Sequence, residues 1–346
     1  MRKSRYAEEL AYFNAIACLL VILIHVLSLG ISTVEPASWQ AAAIYFPWRL
    51  AAFVVPAFLF SGGIKMALAF GERLDARAYG RYLWGRVRKI YLPYLLWNLI
   101  YYLAFLRIGY VKGSLSELLH YILVGNLTSP FYYIIIAMQF YALQPLWFWL
   151  VKKVPWHVAS LCAVLVTLLS LQSNGILSQF GLTFGFTDRI FSSYLIFWVL
   201  GLYAGRDYEH VRKSVERGAG MALSLAAVLG FTVLAYVQYA RRSYFFDLTS
   251  SKLFTDCLSI LILLWVSARI AQSRGWWKGA LKYIHSASFF VYLSHCLFLT
   301  LGTSYLQGYG VSKLSVLLVC RFVICYTLPF LTYEAWRRIR KLCIKK

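Results

Sequence analysis

A histidine at position 25 sits near the far end of a nearly unbroken apolar run, LAYFNAIACLLVILIHVLSLG, that follows the basic start MRKSRY. About fifteen helical residues at ~1.5 Å each carry it roughly 22 Å from the basic end. Ionisable groups inside a bilayer are costly and usually face a cavity or a partner, so His25 is a functional candidate. With a pKa of about 6.5, an imidazole can take or give a proton near neutral pH. Arg49 lies early in AIYFPWRLAAFVVPAFLFSGGIKMALAF, at a similar expected depth on the neighbouring span. Its guanidinium either snorkels to the headgroups or joins the polar pocket around His25, where it would steady negative charge on an acyl oxygen. Further along, Pro56 and Ser61-Gly62-Gly63 loosen the helix and let backbone or ligand come close.

Six basic residues crowd the segment ERLDARAYGRYLWGRVRK. Arginine forks bind phosphate bidentately, so Arg86, Arg88 and Lys89 are candidates for holding a phosphorylated donor. The alternative is that they set topology and touch anionic lipid. His295, in SASFFVYLSHCLF, falls mid-membrane, where a packing contact and a polar-pocket role are both open. Asp256 and Glu334 fall near span ends and read as boundary charges. There is no Gly-rich P-loop, HExxH or GxSxG elbow, and the seven cysteines show no metal-ligand spacing. An enzyme built on this sequence is expected to use neither a metal nor a serine–histidine triad.

The elements that position these residues follow from composition. With 61% hydrophobic and 14% charged residues, the 346-residue chain has too much apolar surface for a soluble domain. Apolar runs at about 10–30, 43–70, 90–111, 131–151, 156–173, 190–206, 218–240, 253–271, 285–306 and 312–334 predict an all-α, polytopic bundle of about ten transmembrane helices. A shorter amphipathic piece covers 115–126. With the N-terminus inside, 25 of the 35 Lys and Arg fall on the inner side and 7 outside, which places both termini in the cytoplasm. The net charge of +22 therefore reports topology and calls for no nucleic acid. The gaps between runs are too short for a separate soluble domain, so residues 1–346 are expected to form one integral membrane domain.

Several short patterns in order make the sequence resemble the acyltransferase family 3 integral membrane proteins. The family's first helix carries Arg, ten residues, then His; here the frame is Asn14, ten residues, His25. FLFSGG matches a phenylalanine-rich run ending Ser-Gly, with Ser61 and Gly62. An Arg-x-x-Arg motif before Ile-x-x-Pro corresponds to Arg86-Val87-Arg88-Lys89-Ile90 and Pro93, with Lys89 in place of the second Arg. IIIAMQFY keeps Gln139-Phe140-Tyr141 of the family's Glu-Gln-Phe-Tyr but has Met138 for the acid. Ser288, Tyr292, Leu293 and His295 fit Ser-x-x-x-Tyr-Leu-x-His. Within the family the likeness is greatest to the branch serving the intercellular-adhesin, or poly-N-acetylglucosamine, polysaccharide.

The resemblance implies acyl transfer from cytoplasmic acyl-CoA, acetyl-CoA or succinyl-CoA, to hydroxyls of a surface polysaccharide or lipid-linked glycan outside. It implies a multi-pass protein of a bacterial plasma membrane, surrounded by membrane lipids and working beside a glycan synthase complex. His25 and Arg49 take catalytic roles on this basis. Arg86, Arg88 and Lys89 hold CoA phosphates, and Asn14, Ser61, Gln139, Tyr292 and His295 line the pocket. The rival assignments are an exporter or flippase of the polysaccharide and a membrane scaffold without activity.

Overall fold

The computed structural model describes residues 2–71 and 75–344, with side chains for 8–71 and 75–342. Arg73, Lys345 and Lys346, and the side chains of Arg2, Lys3 and Arg5, all counted among the inner charges, lie outside the described residues. The described residues form helices and no strand. In chain order these are α1 (Arg2–Thr33), α2 (Trp39–Ala51), α3 (Val54–Leu68), α4 (Ala76–Arg86), α5 (Leu92–Arg107), α6 (Leu115–Val124), α7 (Tyr132–Ala142) and α8 (Gln144–Lys153). They continue as α9 (Trp156–Ser178), α10 (Leu195–Arg206), α11 (Tyr208–Glu216), α12 (Met221–Arg241), α13 (Leu248–Gln272), α14 (Trp277–Gly308) and α15 (Leu314–Ile344).

Seven helical segments among the described residues are long and apolar enough to cross a membrane: Glu8–Thr33, Trp39–Leu68, Trp156–Ser178, Met221–Arg241, Leu248–Gln272, Trp277–Gly308 and Leu314–Leu342. An eighth arises if α6 and the segment Ser129–Ala142, bent by 54°, act as one span. The three other runs expected from hydropathy are not single helices of spanning length. Run 131–151 is cut between α7 and α8, where Pro145 sits in the first turn of α8 and has no N–H to continue the ladder. Run 190–206 begins in 3₁₀ turns and leaves α10 with 12 residues. Run 90–111 begins in the π-helical turn Val87–Tyr91 and continues through the 16 residues of α5. The basic segment before it is largely helical: Asp75 caps α4 by accepting from the Ala78 N–H at 2.6 Å.

The chain forms two compact units, one of Met1–Val54 with Lys213–Lys346 and one of Val55–Arg212. In the first, α1 packs against α2, α13, α14 and α15. Its stripe Asn14, Cys18, His25 recurs at helical spacing, and the Cys18 thiol faces the Ser288 carbonyl of α14 at 3.7 Å. The Tyr326 hydroxyl of α15 donates to the Leu19 carbonyl at 2.7 Å. Most of the first unit's helices are therefore built around the element that carries His25.

In the second unit the glycines of FLFSGG serve backbone approach. A Cβ on Gly63 would lie 2.5 Å from the Trp198 carbonyl oxygen, and one on Gly201 would lie 2.2 Å from that of Phe60. Gly205 meets Ile64 in the same way at 2.6 Å, so Gly201 and Gly205 form a small-x-x-x-small seam against α3. The obstructing atoms are backbone and cannot rotate away. Gly201→Ala should therefore lower stability by about 1–3 kcal/mol or more. Gly230→Ala, on α12 with nothing within 4 Å, should leave stability equal or slightly higher. Thermal unfolding of the two purified variants in one detergent checks this; equal Tm values would show that the seam tolerates a methyl group.

Candidate active site

The first unit gathers a buried polar cluster from three helices. His25 on α1 and His295 on α14 bring their rings to 5.2 Å between centroids, at 46°. His295 is fully buried. Its Nδ1 lies 3.0 Å from the Val291 carbonyl, one turn back. A carbonyl only accepts, so in the neutral ring Nδ1 carries the proton and Nε2 the lone pair. That Nε2 is buried and has no partner among the described residues. Tyr292 is buried beside it, with ring centroids 6.3 Å apart. The structure thus brings His25, Tyr292 and His295 together, although the histidines stand at opposite ends of the chain.

Arg321 of α15 completes the cluster. It is 6% exposed, and its guanidinium donates from Nη2 to the His25 carbonyl at 2.8 Å, from Nε to the Val26 carbonyl at 3.1 Å, and from Nη1 to the Thr303 hydroxyl at 2.9 Å. The planar fork ties α1, α14 and α15 at the level of His25 and fixes the backbone from which that ring projects. Arg321 is one of the three of the 35 Lys and Arg that fall within the apolar runs rather than on either side. The signal that identifies it is the rarity of a charge inside an apolar run. Asn14, where the family pattern has Arg, is buried and donates through Nδ2 to the Leu10 carbonyl of its own helix. Eleven residues, roughly 16 Å of helix, separate it from His25, so Arg321 supplies a cation at a different level.

Arg49 lies elsewhere in this unit. It lines a cavity of about 10 Å³ with Phe53, Thr232 and Asp256, room for about one water. It makes no hydrogen bond, ion pair or ring contact with His25 among the described residues. Asp256, read from sequence as a boundary charge, is buried and ion-paired to Lys252, whose Nζ also donates to the Ala52 carbonyl at 3.3 Å. Arg49 and Lys252 both offer Asp256 compensating charge, which explains why a carboxylate is tolerated there.

The second unit holds the basic motif. Arg86, the last residue of α4, lies over the rings of Tyr82 and Tyr141, 4.9 Å from each centroid. Lys65 of α3 is its electrostatic neighbour, a second cation that sequence reading left unassigned. Burial pushes the Tyr82 phenol up to about 12, against the pull of Arg86, so it stays protonated at physiological pH. Arg88 and Lys89 are exposed on a π-helical turn, Val87–Tyr91. The Leu92 N–H there reaches back five residues to the Val87 carbonyl, just before Pro93, which has no N–H to offer.

Two further pocket candidates hold structure together in this unit. The Gln139 side-chain amide donates to the Arg189 carbonyl at 2.8 Å and accepts from the Phe191 N–H at 2.9 Å, pinning the 3₁₀ segment to α7. Ser61 is fully buried next to the glycine seam.

A helical membrane protein with a histidine pair, one ring half-buried and one fully buried, an internal arginine clamp and an arginine–tyrosine site is the class these features define. The family model described as an acyltransferase domain, Acyl_transf_3, matches residues 9–334, and the chain belongs to that family. It is 24% identical over 317 residues to a Staphylococcus aureus protein named as a poly-β-1,6-N-acetyl-D-glucosamine export protein, covering 86% of this chain and 83% of that one. It is 22% identical over 345 residues to YfiQ of Bacillus subtilis, named as a membrane-bound acyltransferase, covering 96% and 92%. No solved structure matches the chain.

Proposed function

We propose that this chain, as one acyltransferase domain over residues 1–346, moves an acyl group from cytoplasmic acyl-CoA to hydroxyls of an extracytoplasmic polysaccharide or lipid-linked glycan. The observation that carries the reading is the His25–His295 pair, held by Arg321 in a protein of an acyltransferase family. His25 takes the acceptor hydroxyl proton as oxygen attacks the thioester carbonyl, and the CoA thiolate leaves. His295, its Nε2 free to accept, lies beside His25 and steadies the proton or the acceptor. Arg86, supported by Arg88 and Lys89, recognises donor phosphates. The acyl group is acetyl or succinyl. The test is to compare surface polysaccharide from bacterial cells with and without the protein; ester-linked acyl groups should be present only with it. Equal ester content in both would remove the assignment.

Polysaccharide export is the second reading, favoured by the name of the Staphylococcus aureus relative. An exporter mutant should retain its glycan inside the cell, whereas an acyltransferase mutant should display a glycan lacking esters.

Both termini are proposed to be cytoplasmic, which requires an even number of crossings. Seven spans alone would put the termini on opposite sides; eight, counting the bent α6 and Ser129–Ala142 segment, would not. A C-terminal fusion to a reporter active only in the cytoplasm should be bright, and one inserted at Gly310, between the last two spans, should be dark. A dark C-terminal fusion would reverse the assignment.

A further inference from the structure

We propose that His25, His295 and Cys296 form a binding site for a thiophilic divalent cation of the zinc class. One ring nitrogen from each histidine and the Cys296 sulfur all lie within 4.8 Å of one another. Around a tetrahedral zinc ion, with bonds of about 2.1 Å to nitrogen and 2.3 Å to sulfur, ligand atoms stand roughly 3.5 Å apart. Movements of about 1 Å, within reach of side-chain torsions, close the set.

A second observation is independent of that spacing. The Nδ1–H of His295 is committed to the Val291 carbonyl at 3.0 Å. A ligating imidazole is normally held in this way, its outer N–H donated to a carbonyl or carboxylate so that the other nitrogen presents its lone pair. Here that nitrogen, Nε2, is buried without a partner among the described residues. Such an atom is costly to bury unless something satisfies it, and a metal ion does so.

Two imidazoles and a sulfur favour zinc or cobalt over magnesium or calcium, which take oxygen ligands. The set leaves one tetrahedral position for water or another small ligand. On binding, the thiol loses its proton to solvent as the metal–sulfur bond forms. The thiolate offsets part of the ion's charge, and the Arg321 guanidinium, already bonded to carbonyl and hydroxyl oxygens, neighbours the cluster. A bound ion occupies a nitrogen of His25, so metal binding and proton removal by His25 exclude one another. That consequence rests on the proposed acyl transfer; the site itself does not.

The experiment is cobalt titration of the purified full-length protein in detergent, followed by visible and near-ultraviolet absorption. One equivalent should bind, giving d–d bands and a thiolate-to-cobalt charge-transfer band that zinc abolishes. Cys296→Ser should remove the charge-transfer band, and His295→Gln should weaken binding by more than the ~10- to 100-fold that loss of an outer-shell partner costs. Cys162→Ser, at an exposed cysteine on α9, should change neither. Zinc should also raise the Tm of the unaltered protein, a readout that needs no variant to fold. No charge-transfer band with the unaltered protein, or cobalt binding retained in both Cys296→Ser and His295→Gln, would overturn the proposal.

Discussion

His25→Ala should reduce ester-linked acyl groups on the surface glycan to background while the protein stays inserted and abundant. Removing a general base typically costs ~10²–10⁴-fold in rate, enough to empty the ester signal at ordinary expression. The structure makes this a clean variant. Arg321 holds α1 through the backbone carbonyls of residues 25 and 26, at 2.8 and 3.1 Å, and those bonds do not depend on the imidazole. The side chain is half-buried, beside the ring of His295 and with a ring nitrogen within 4.8 Å of the Cys296 sulfur. Truncation therefore removes chemistry with little loss of packing. Ester content is measured on isolated polysaccharide at matched protein level. Retained esters would exclude His25 as the base and move the weight to export.

How far the sequence reached can be judged from individual residues. Hydropathy located α1, α9, α12, α13, α14 and α15 because each is one uninterrupted apolar helix. It does not see breaks inside apolar runs, since summed hydropathy does not register the missing N–H of Pro145 or the 3₁₀ turns before α10. His25 stood out alone by its cost in a membrane. Its meeting with His295 depends on α1 packing against α14, which no local pattern encodes. Arg49 shows what depth leaves open: a similar depth allowed either the headgroups or a pocket shared with His25, and the structure sets the side chain on a small cavity with Asp256. Depth follows from counting residues, whereas azimuth follows from packing.

Arg86→Gln should weaken acyl-CoA binding by about 10- to 150-fold, the equivalent of roughly 1.5–3 kcal/mol for one charge-assisted hydrogen bond. Among the three basic candidates, Arg86 is the half-buried one; its guanidinium lies 4.9 Å from the centroids of both the Tyr82 and Tyr141 rings, and its planar fork suits an anion. Lys65 nearby adds positive field. Arg88 and Lys89, exposed on the π-helical turn, work in high dielectric, so Arg88→Gln and Lys89→Gln should each cost less than about 5-fold. Loss of the two ring contacts also removes packing, so affinity has to be read beside Tm. Arg86→Lys separates the contributions: it keeps the charge but loses the planar fork, and should restore part of the affinity without restoring the stacking. If Arg86→Gln lowers Tm but binds acyl-CoA as the unaltered protein does, the arginine is a structural bracket between α4 and α7. The donor phosphates would then have to be held by other residues.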